Sequence, residues 1–172
     1  MKDTKKIVLL AILTSLAVCL SLIDKMITPL AFPVLPTAKI GLANIIVLIA
    51  IYNFSFKETT ALVVIKILIA NLLFGSLTSF IIGGSASILS FLVMFFVYKT
   101  INKFVSAIGI SVLGGFIHIV VQLAVTMTLY QLGEVVMYFG AILVFISLIS
   151  SILIGIIVNK LNIYLMKQKE LI

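Results

Sequence analysis

The sequence predicts an all-α integral membrane protein with about six transmembrane helices in one bundle. Of its 172 residues, 63% are hydrophobic and only 10% are charged, and the mean hydropathy is +1.41. A soluble fold could not bury so much apolar surface. Because one membrane-spanning helix needs about 20 residues, the chain has room for roughly six spans with short connections. We therefore expect a single transmembrane helical domain over residues 1–172.

Six apolar runs are the candidate helices. The first follows a basic stretch, as in a secretory signal, but it is long enough to span and no small-residue cleavage site follows it, so we expect a retained helix. The runs cover approximately Lys6–Ile23, Ile40–Phe54, Glu58–Phe74, Ser85–Thr100, Ile108–Tyr130 and Val135–Leu161.

Two of the connections have distinctive compositions. Asp24–Lys39 contains all three prolines of the chain. Because proline lacks a backbone N–H and fixes φ, this segment is predicted to be a substantial loop. The uncharged, Gly- and Ser-rich segment Gly75–Ser87 is predicted to be a flexible turn or a broken helix start.

Lysine placement predicts the orientation. All twelve basic residues are lysines and the formal net charge is +7. In a six-span arrangement nine lysines lie in connections on one side, Lys25 and Lys39 lie on the other, and Lys66 lies within a span. Positive residues favour the cytoplasmic side, so we expect a multi-pass plasma-membrane protein with both termini in the cytoplasm. The lysines flank apolar runs and would contact the lipid bilayer, so no nucleic-acid partner is expected.

The usual motifs of catalysis are missing. The chain has no G-x-x-x-x-G-K-[ST] stretch to cradle ATP phosphates, and its five acidic residues are isolated from one another. One histidine and one cysteine in separate runs give no zinc or nucleophile pattern. We therefore expect a chain that is not an enzyme, with no catalytic residue, metal site or cofactor.

The candidate substrate-binding residues are the sparse polar side chains within or at the ends of the runs. Ionisable groups in a bilayer usually face a cavity or a partner. Lys66 could snorkel, pair with an acid such as Asp24 or Glu134, or hold an anionic ligand group. The full set is Lys39, Asn44, Lys66, Asn71, His118 and Gln122.

The other candidate binding residues could also have purely structural roles. His118 and Gln122 are four residues apart and share a helix face, so they could contact a ligand or bond between helices. Lys39 could anchor the chain at the interface or line a pocket with Asn44 about one turn deeper. Asn71 could be a packing amide or a pocket group.

Small residues recur at spacings of four on the first run. Ala11 and Ser15 form one such pair, and Ala17 and Ser21 form another. This spacing allows close approach of a second helix, which could belong to the same chain or to a partner.

Three segments carry a resemblance to a known family. TAKIGLANIIVL, IKILIANLLFGSLTSF and GGFIHIVVQLAV, in this order, resemble the Gx transporter family, whose members are often labelled heptaprenyl diphosphate synthase component I. The similarity extends over nearly the whole chain, and AKIGLAN is its most distinctive part.

The resemblance implies an S component, the substrate-binding subunit of an energy-coupling factor (ECF) transporter of the ABC type. Such a subunit binds a vitamin-like nutrient and associates with a transmembrane coupling protein and two cytoplasmic ATPases. In these proteins the first outer loop helps to cover the substrate, and small residues of the first helix contact the coupling protein, which would assign docking to Ala11 and Ser15. The family usually has alanine at the second position, so Ser15 is a departure.

The leading hypothesis is therefore uptake of a small nutrient or cofactor precursor, with lysines near the cavity favouring an anionic compound. One alternative is a non-catalytic membrane subunit associated with prenyl diphosphate synthesis, acting beside a separate catalytic subunit. A further alternative is a structural protein in which Lys66, His118 and Gln122 only hold helices together.

Overall fold

The computed structural model describes residues 2–31, 41–131 and 133–169, and over these residues the chain forms six α-helices, as the sequence predicts. They are α1 (Lys2–Ala31), α2 (Asn44–Asn53), α3 (Phe56–Phe74), α4 (Leu77–Ile101), α5 (Ala107–Tyr130) and α6 (Gly133–Lys169).

Four of these helices contain stretches that are long and apolar enough to cross a membrane. The stretches are Thr4–Ile27, Leu77–Ile101, Ala107–Tyr130 and Tyr138–Asn162. The chain is therefore a helical membrane protein. α2 has ten residues, which at 1.5 Å each give about 15 Å, roughly half of a bilayer's hydrocarbon core. The helix number matches the prediction, while length and composition support four spans.

The short helix α2 occupies the centre of the bundle. It contacts each of the other five helices, and Ile46, Val47, Leu48, Ala50 and Ile51 are all buried. A helix that is apolar on every side is expected where every side is covered by protein. The predicted run began at Ile40, whereas α2 begins at Asn44, because Gly41 has a φ of +92° that a continuous helix cannot contain.

The prediction of a loop from Asp24 to Lys39 is wrong for its first part. α1 continues to Ala31 and includes Pro29. Proline removes one backbone hydrogen bond, and only two helical residues follow Pro29, so little of α1 depends on that bond. Residues 32–40, which include Pro33, Pro36 and Lys39, lie outside the residues that the structure describes.

The prediction of a connection from Gly75 to Ser87 is also wrong, because α4 begins at Leu77. The Ser76 side chain caps this helix by accepting a hydrogen bond from the Ser79 backbone N–H at 3.1 Å. Gly83 and Gly84 are buried inside the helix. A Cβ on Gly84 would lie 3.4 Å from the Ile67 side chain, so α4 and α3 pack closely there.

Buried serine hydroxyls connect the second half of the bundle. Ser90 of α4 donates to the Gly114 carbonyl of α5 at 2.7 Å, and Ser111 of α5 donates to the Ser151 carbonyl of α6 at 2.7 Å. Small residues make this close approach feasible, as in other membrane helix pairs. α4, α5 and α6 therefore form one tightly joined layer.

The helix α1 is more peripheral, since within the described residues its helix contacts are with α2 and α3. The Lys6 ammonium lies 2.8 Å from a Glu58 carboxylate oxygen, so the first turns of α1 and α3 are adjacent at one end of the bundle. That end is used below as a reference and is called the Lys6 end.

Candidate functional site

A small polar cavity lies between the helices, away from the Lys6 end. Asp24 is 18 positions after Lys6 on the same helix, which places it about 27 Å along the helix axis. Side chains and backbone from α1 to α5 surround the cavity, whose volume is about 20 Å³. It is lined by Ser21, Asp24, Gly41, Ala43, Asn44, Lys66, Ile67, Ala70, Asn71, Gly83, Ser87 and His118.

The Asp24 carboxylate joins the end of α1 to the residues that precede α2. One of its oxygens accepts hydrogen bonds from the backbone N–H groups of Gly41 at 2.8 Å and Leu42 at 3.3 Å. Asp24 is only 2% exposed, so these charge-assisted bonds help to offset the cost of burying a carboxylate.

Position 41 requires a glycine because of both its backbone conformation and the side chains around it. Its φ of +92° lies in a region that side-chain-bearing residues rarely adopt. A Cβ there would lie 3.2 Å from the Asn44 amide nitrogen and 3.8 Å from the His118 ring. Gly41 and Leu42 thus bring their backbone N–H groups against Asp24, and the missing side chain of Gly41 avoids crowding Asn44 and His118.

His118 and Gln122 form a hydrogen-bonded pair on α5. Their Nε2 atoms are 3.2 Å apart, and both side chains are buried. When the Gln122 amide nitrogen donates this bond, the His118 Nε2 accepts it and the ring proton lies on Nδ1. In this arrangement His118 is therefore neutral.

Lys66 brings a cation into the same cavity from the middle of α3. It is only 4% exposed and lies ten positions after Phe56, about 15 Å into the helix. A buried lysine at this depth is costly unless it faces polar groups. The cavity lining supplies such groups, including the Asp24 carboxylate.

The structure brings together most of the predicted binding residues. Asn44, Lys66, Asn71 and His118 all line the cavity, while Gln122 contacts it through His118. The Asn71 amide also donates to the Ile67 carbonyl of its own helix at 2.7 Å. Lys39 and the Glu134 side chain lie outside what the structure describes.

Several cavity residues were not among the predicted site residues. Asp24 is the most important of these, and its place at the end of an apolar run was the available signal. Ser21 and Ser87 add hydroxyls. Ser87 lay where the predicted connection and the predicted fourth run overlap, and a serine among other small residues gave no separate signal.

A separate apolar groove runs along the outside of α1 and α3. Its α1 residues are separated by alternating steps of three and one, so that each lies three or four positions from others on one helix face. Both Ala11 and Ser15 are exposed and line it, with a volume of about 570 Å³ between the two helices. The lining consists of Ile7, Leu10, Ala11, Thr14, Ser15, Val18, Cys19, Leu22, Leu62, Ile65, Ile69 and Leu73.

The hydroxyls in this groove are satisfied within α1. Ser15 donates to the Ala11 carbonyl at 3.0 Å, and Thr14 donates to the Leu10 carbonyl at 2.7 Å. Ser15 can therefore present a small surface to an apolar neighbour without an unmet donor. The second small pair differs, because Ala17 is fully buried and Ser21 faces the polar cavity.

No group of three or more His, Cys, Asp or Glu side chains is placed to hold a metal ion within the described part of the chain.

The chain matches a known protein family. The family model described as heptaprenyl diphosphate synthase component I matches residues 13–161. That range includes Asp24, the AKIGLAN segment, and every described lining residue of the polar cavity. No curated protein and no solved structure matches the chain.

Proposed function

The chain belongs to the heptaprenyl diphosphate synthase component I family, and from that premise we propose that it is the substrate-binding S component of an ECF-type ABC transporter. In this role it takes up a small nutrient or cofactor precursor that carries an anionic group. It performs no chemistry itself.

The polar cavity is the observation that carries this proposal. Asn44, Lys66 and His118 come from three different helices and face one space in a largely apolar bundle. Packing alone would be satisfied by hydrophobic side chains, and intramembrane ionisable groups typically mark a substrate pathway or site. Convergence of several polar groups on one cavity is what ligand recognition requires.

The groove along α1 and α3 is the proposed docking surface for the transmembrane coupling protein. Its small residues Ala11 and Ser15 permit close approach of a partner helix, and the larger groove residues supply apolar area. The groove and the cavity use different faces of α1, so a partner on the outside could respond to a ligand on the inside.

The proposed orientation places both termini in the cytoplasm of a plasma-membrane protein. The Lys6 end would then be cytoplasmic, in accordance with the lysine bias. The polar cavity would lie in the outer half of the bundle, where a nutrient arrives. Two cytoplasmic ATPases would supply the energy through the coupling protein.

Reconstituted uptake tests the proposal. The protein is placed in proteoliposomes with and without a coupling protein and its two ATPases, and uptake of the molecule identified on the purified protein is measured. ATP-dependent uptake is expected only with all partners present. Full uptake by the isolated chain without ATP would show that the partner requirement is wrong.

The family description supports a second candidate, a non-catalytic membrane subunit associated with prenyl diphosphate synthesis. The test is co-reconstitution with a soluble prenyl diphosphate synthase subunit, followed by measurement of chain elongation. A large stimulation that survives Lys66→Gln would favour this role over transport, because it would not depend on the polar cavity.

A further inference from the structure

Two opposite charges line the polar cavity. The Asp24 carboxylate comes from α1 and the Lys66 ammonium from α3. They are 2% and 4% exposed, so neither is screened by bulk water as a surface charge would be. The cavity therefore presents a negative and a positive group to whatever it holds.

These two charges cancel. His118 is neutral when its Nε2 accepts from Gln122, and the other described lining residues carry no formal charge. A ligand with a single charge would leave the occupied site with a net charge in a low-dielectric bundle, which is energetically costly. A ligand carrying one charge of each sign would keep the site neutral and could face both groups.

The rest of the lining suits a compact polar molecule. Asn44 and Asn71 supply amides, while Gly41, Ala70 and Gly83 occupy little space. The cavity of about 20 Å³ has room for little more than a water molecule. A ligand must therefore move side chains outward, and the long flexible stem of Lys66 lets its ammonium shift while still contacting the ligand.

We propose that this site takes a small zwitterion, with an acidic group toward Lys66 and a basic group toward Asp24. The inference rests on the proposed role of the cavity as the substrate site. It narrows the substrate class from molecules that carry an anionic group to net-neutral molecules that carry one group of each charge.

Matched ligand sets test this inference on the full chain in lipid nanodiscs. The probes are water-soluble zwitterionic metabolites, each with its carboxamide, which is a cation, and its N-acetyl derivative, which is an anion. Binding is measured from the shift in unfolding temperature as a function of concentration. At least one zwitterion should bind, and both of its derivatives should bind at least tenfold more weakly. Binding by anions only, by cations only, or by no probe would overturn the inference.

Charge-neutralising variants give a second test. Asp24→Asn keeps an oxygen that can accept from the Gly41 N–H. It should weaken binding of the zwitterion at least tenfold and strengthen binding of the N-acetyl anion relative to that of the zwitterion. Lys66→Gln should shift the preference toward the carboxamide. Ser90→Ala, which removes a buried hydroxyl outside the cavity, should leave the order of affinities for the three probes unchanged. Equal weakening of all three probes by Lys66→Gln would contradict the charge-balance explanation, even if Asp24→Asn fails to fold.

The outcome is separable from that of the transport proposal. A zwitterion that binds the isolated chain but is not taken up with the coupling module would refute transport and retain the ligand class. ATP-dependent uptake of a simple anion would support transport and refute the zwitterionic ligand class.

Discussion

The Asp24 carboxylate accepts a hydrogen bond from the Gly41 backbone N–H at 2.8 Å, and both residues line the polar cavity. This bond joins the end of α1 to the start of α2, across residues 32–40. It makes Asp24 a structural residue as well as a charge in the site. The geometry of the cavity and the attachment of α1 therefore depend on the same side chain.

Replacing Asp24 should separate these two roles. Asp24→Ala leaves the Gly41 and Leu42 N–H groups without their acceptor, and a buried unsatisfied donor costs about 1–3 kcal/mol. We expect a clearly lower unfolding temperature in nanodiscs for Asp24→Ala and a smaller decrease for Asp24→Asn. Equal unfolding temperatures for Asp24→Ala and the wild type would show that the bond does not stabilise the bundle.

Gly41→Ala should destabilise the protein and impair the site. A side chain at a φ of +92° costs about 1–3 kcal/mol, and the added Cβ would crowd the Asn44 amide. Gly133→Ala is the matched control, because no atom of the described residues lies within 4 Å of a Cβ at that position. Thermal unfolding of the two variants is compared. A decrease for Gly133→Ala as large as that for Gly41→Ala would refute a specific requirement at Gly41.

Bulk in the apolar groove should prevent coupling without affecting ligand binding. Ala11→Trp fills the groove, whereas Ile12→Trp places the same bulk on the adjacent exposed face of α1, outside the groove lining. Co-purification with the coupling protein and ATPases should fall at least tenfold for Ala11→Trp only. Ser15→Ala should retain it, because the Ser15 hydroxyl is already satisfied by Ala11. Loss of coupling in Ile12→Trp to the same degree would argue against the groove as the contact.

Cys19 offers a direct probe of the same surface. It is the only cysteine of the chain, is exposed and lines the groove. A membrane-permeant maleimide should label it several-fold more slowly when the coupling module is bound. The control is Ile149→Cys in a Cys19→Ser background, because Ile149 is exposed on α6, a helix with no α1 contact among the described residues. Equal protection at both positions would indicate general shielding.

The sequence predicted the helices better than their ends. Hydropathy identified all six helices because membrane segments need apolar residues. The ends were missed where local composition and tertiary packing disagree. Pro29 suggested a loop but lies in the last turn of α1, and the glycines after Ser76 suggested a turn but are buried against neighbouring helices.

The candidate site was predictable through its rarest residues. Lys66 and His118 stand out in apolar surroundings, and the cost of burying them indicates a shared polar space. Asp24 was recognised only as a potential partner for Lys66, because its position at the edge of an apolar run resembles that of an interfacial residue. Its bonds to Gly41 and Leu42 depend on how α1 and α2 meet, which no local pattern encodes.

The most direct test of the central claim is native mass spectrometry of the small molecule that co-purifies with the protein. The polar cavity should hold this molecule, so it should be present on the wild type, on Ser90→Ala and on Ala11→Trp. It should be reduced at least tenfold on Lys66→Met, whose apolar side chain of similar length removes the cation. Undiminished occupancy in folded Lys66→Met would contradict the assignment of this cavity as the substrate site.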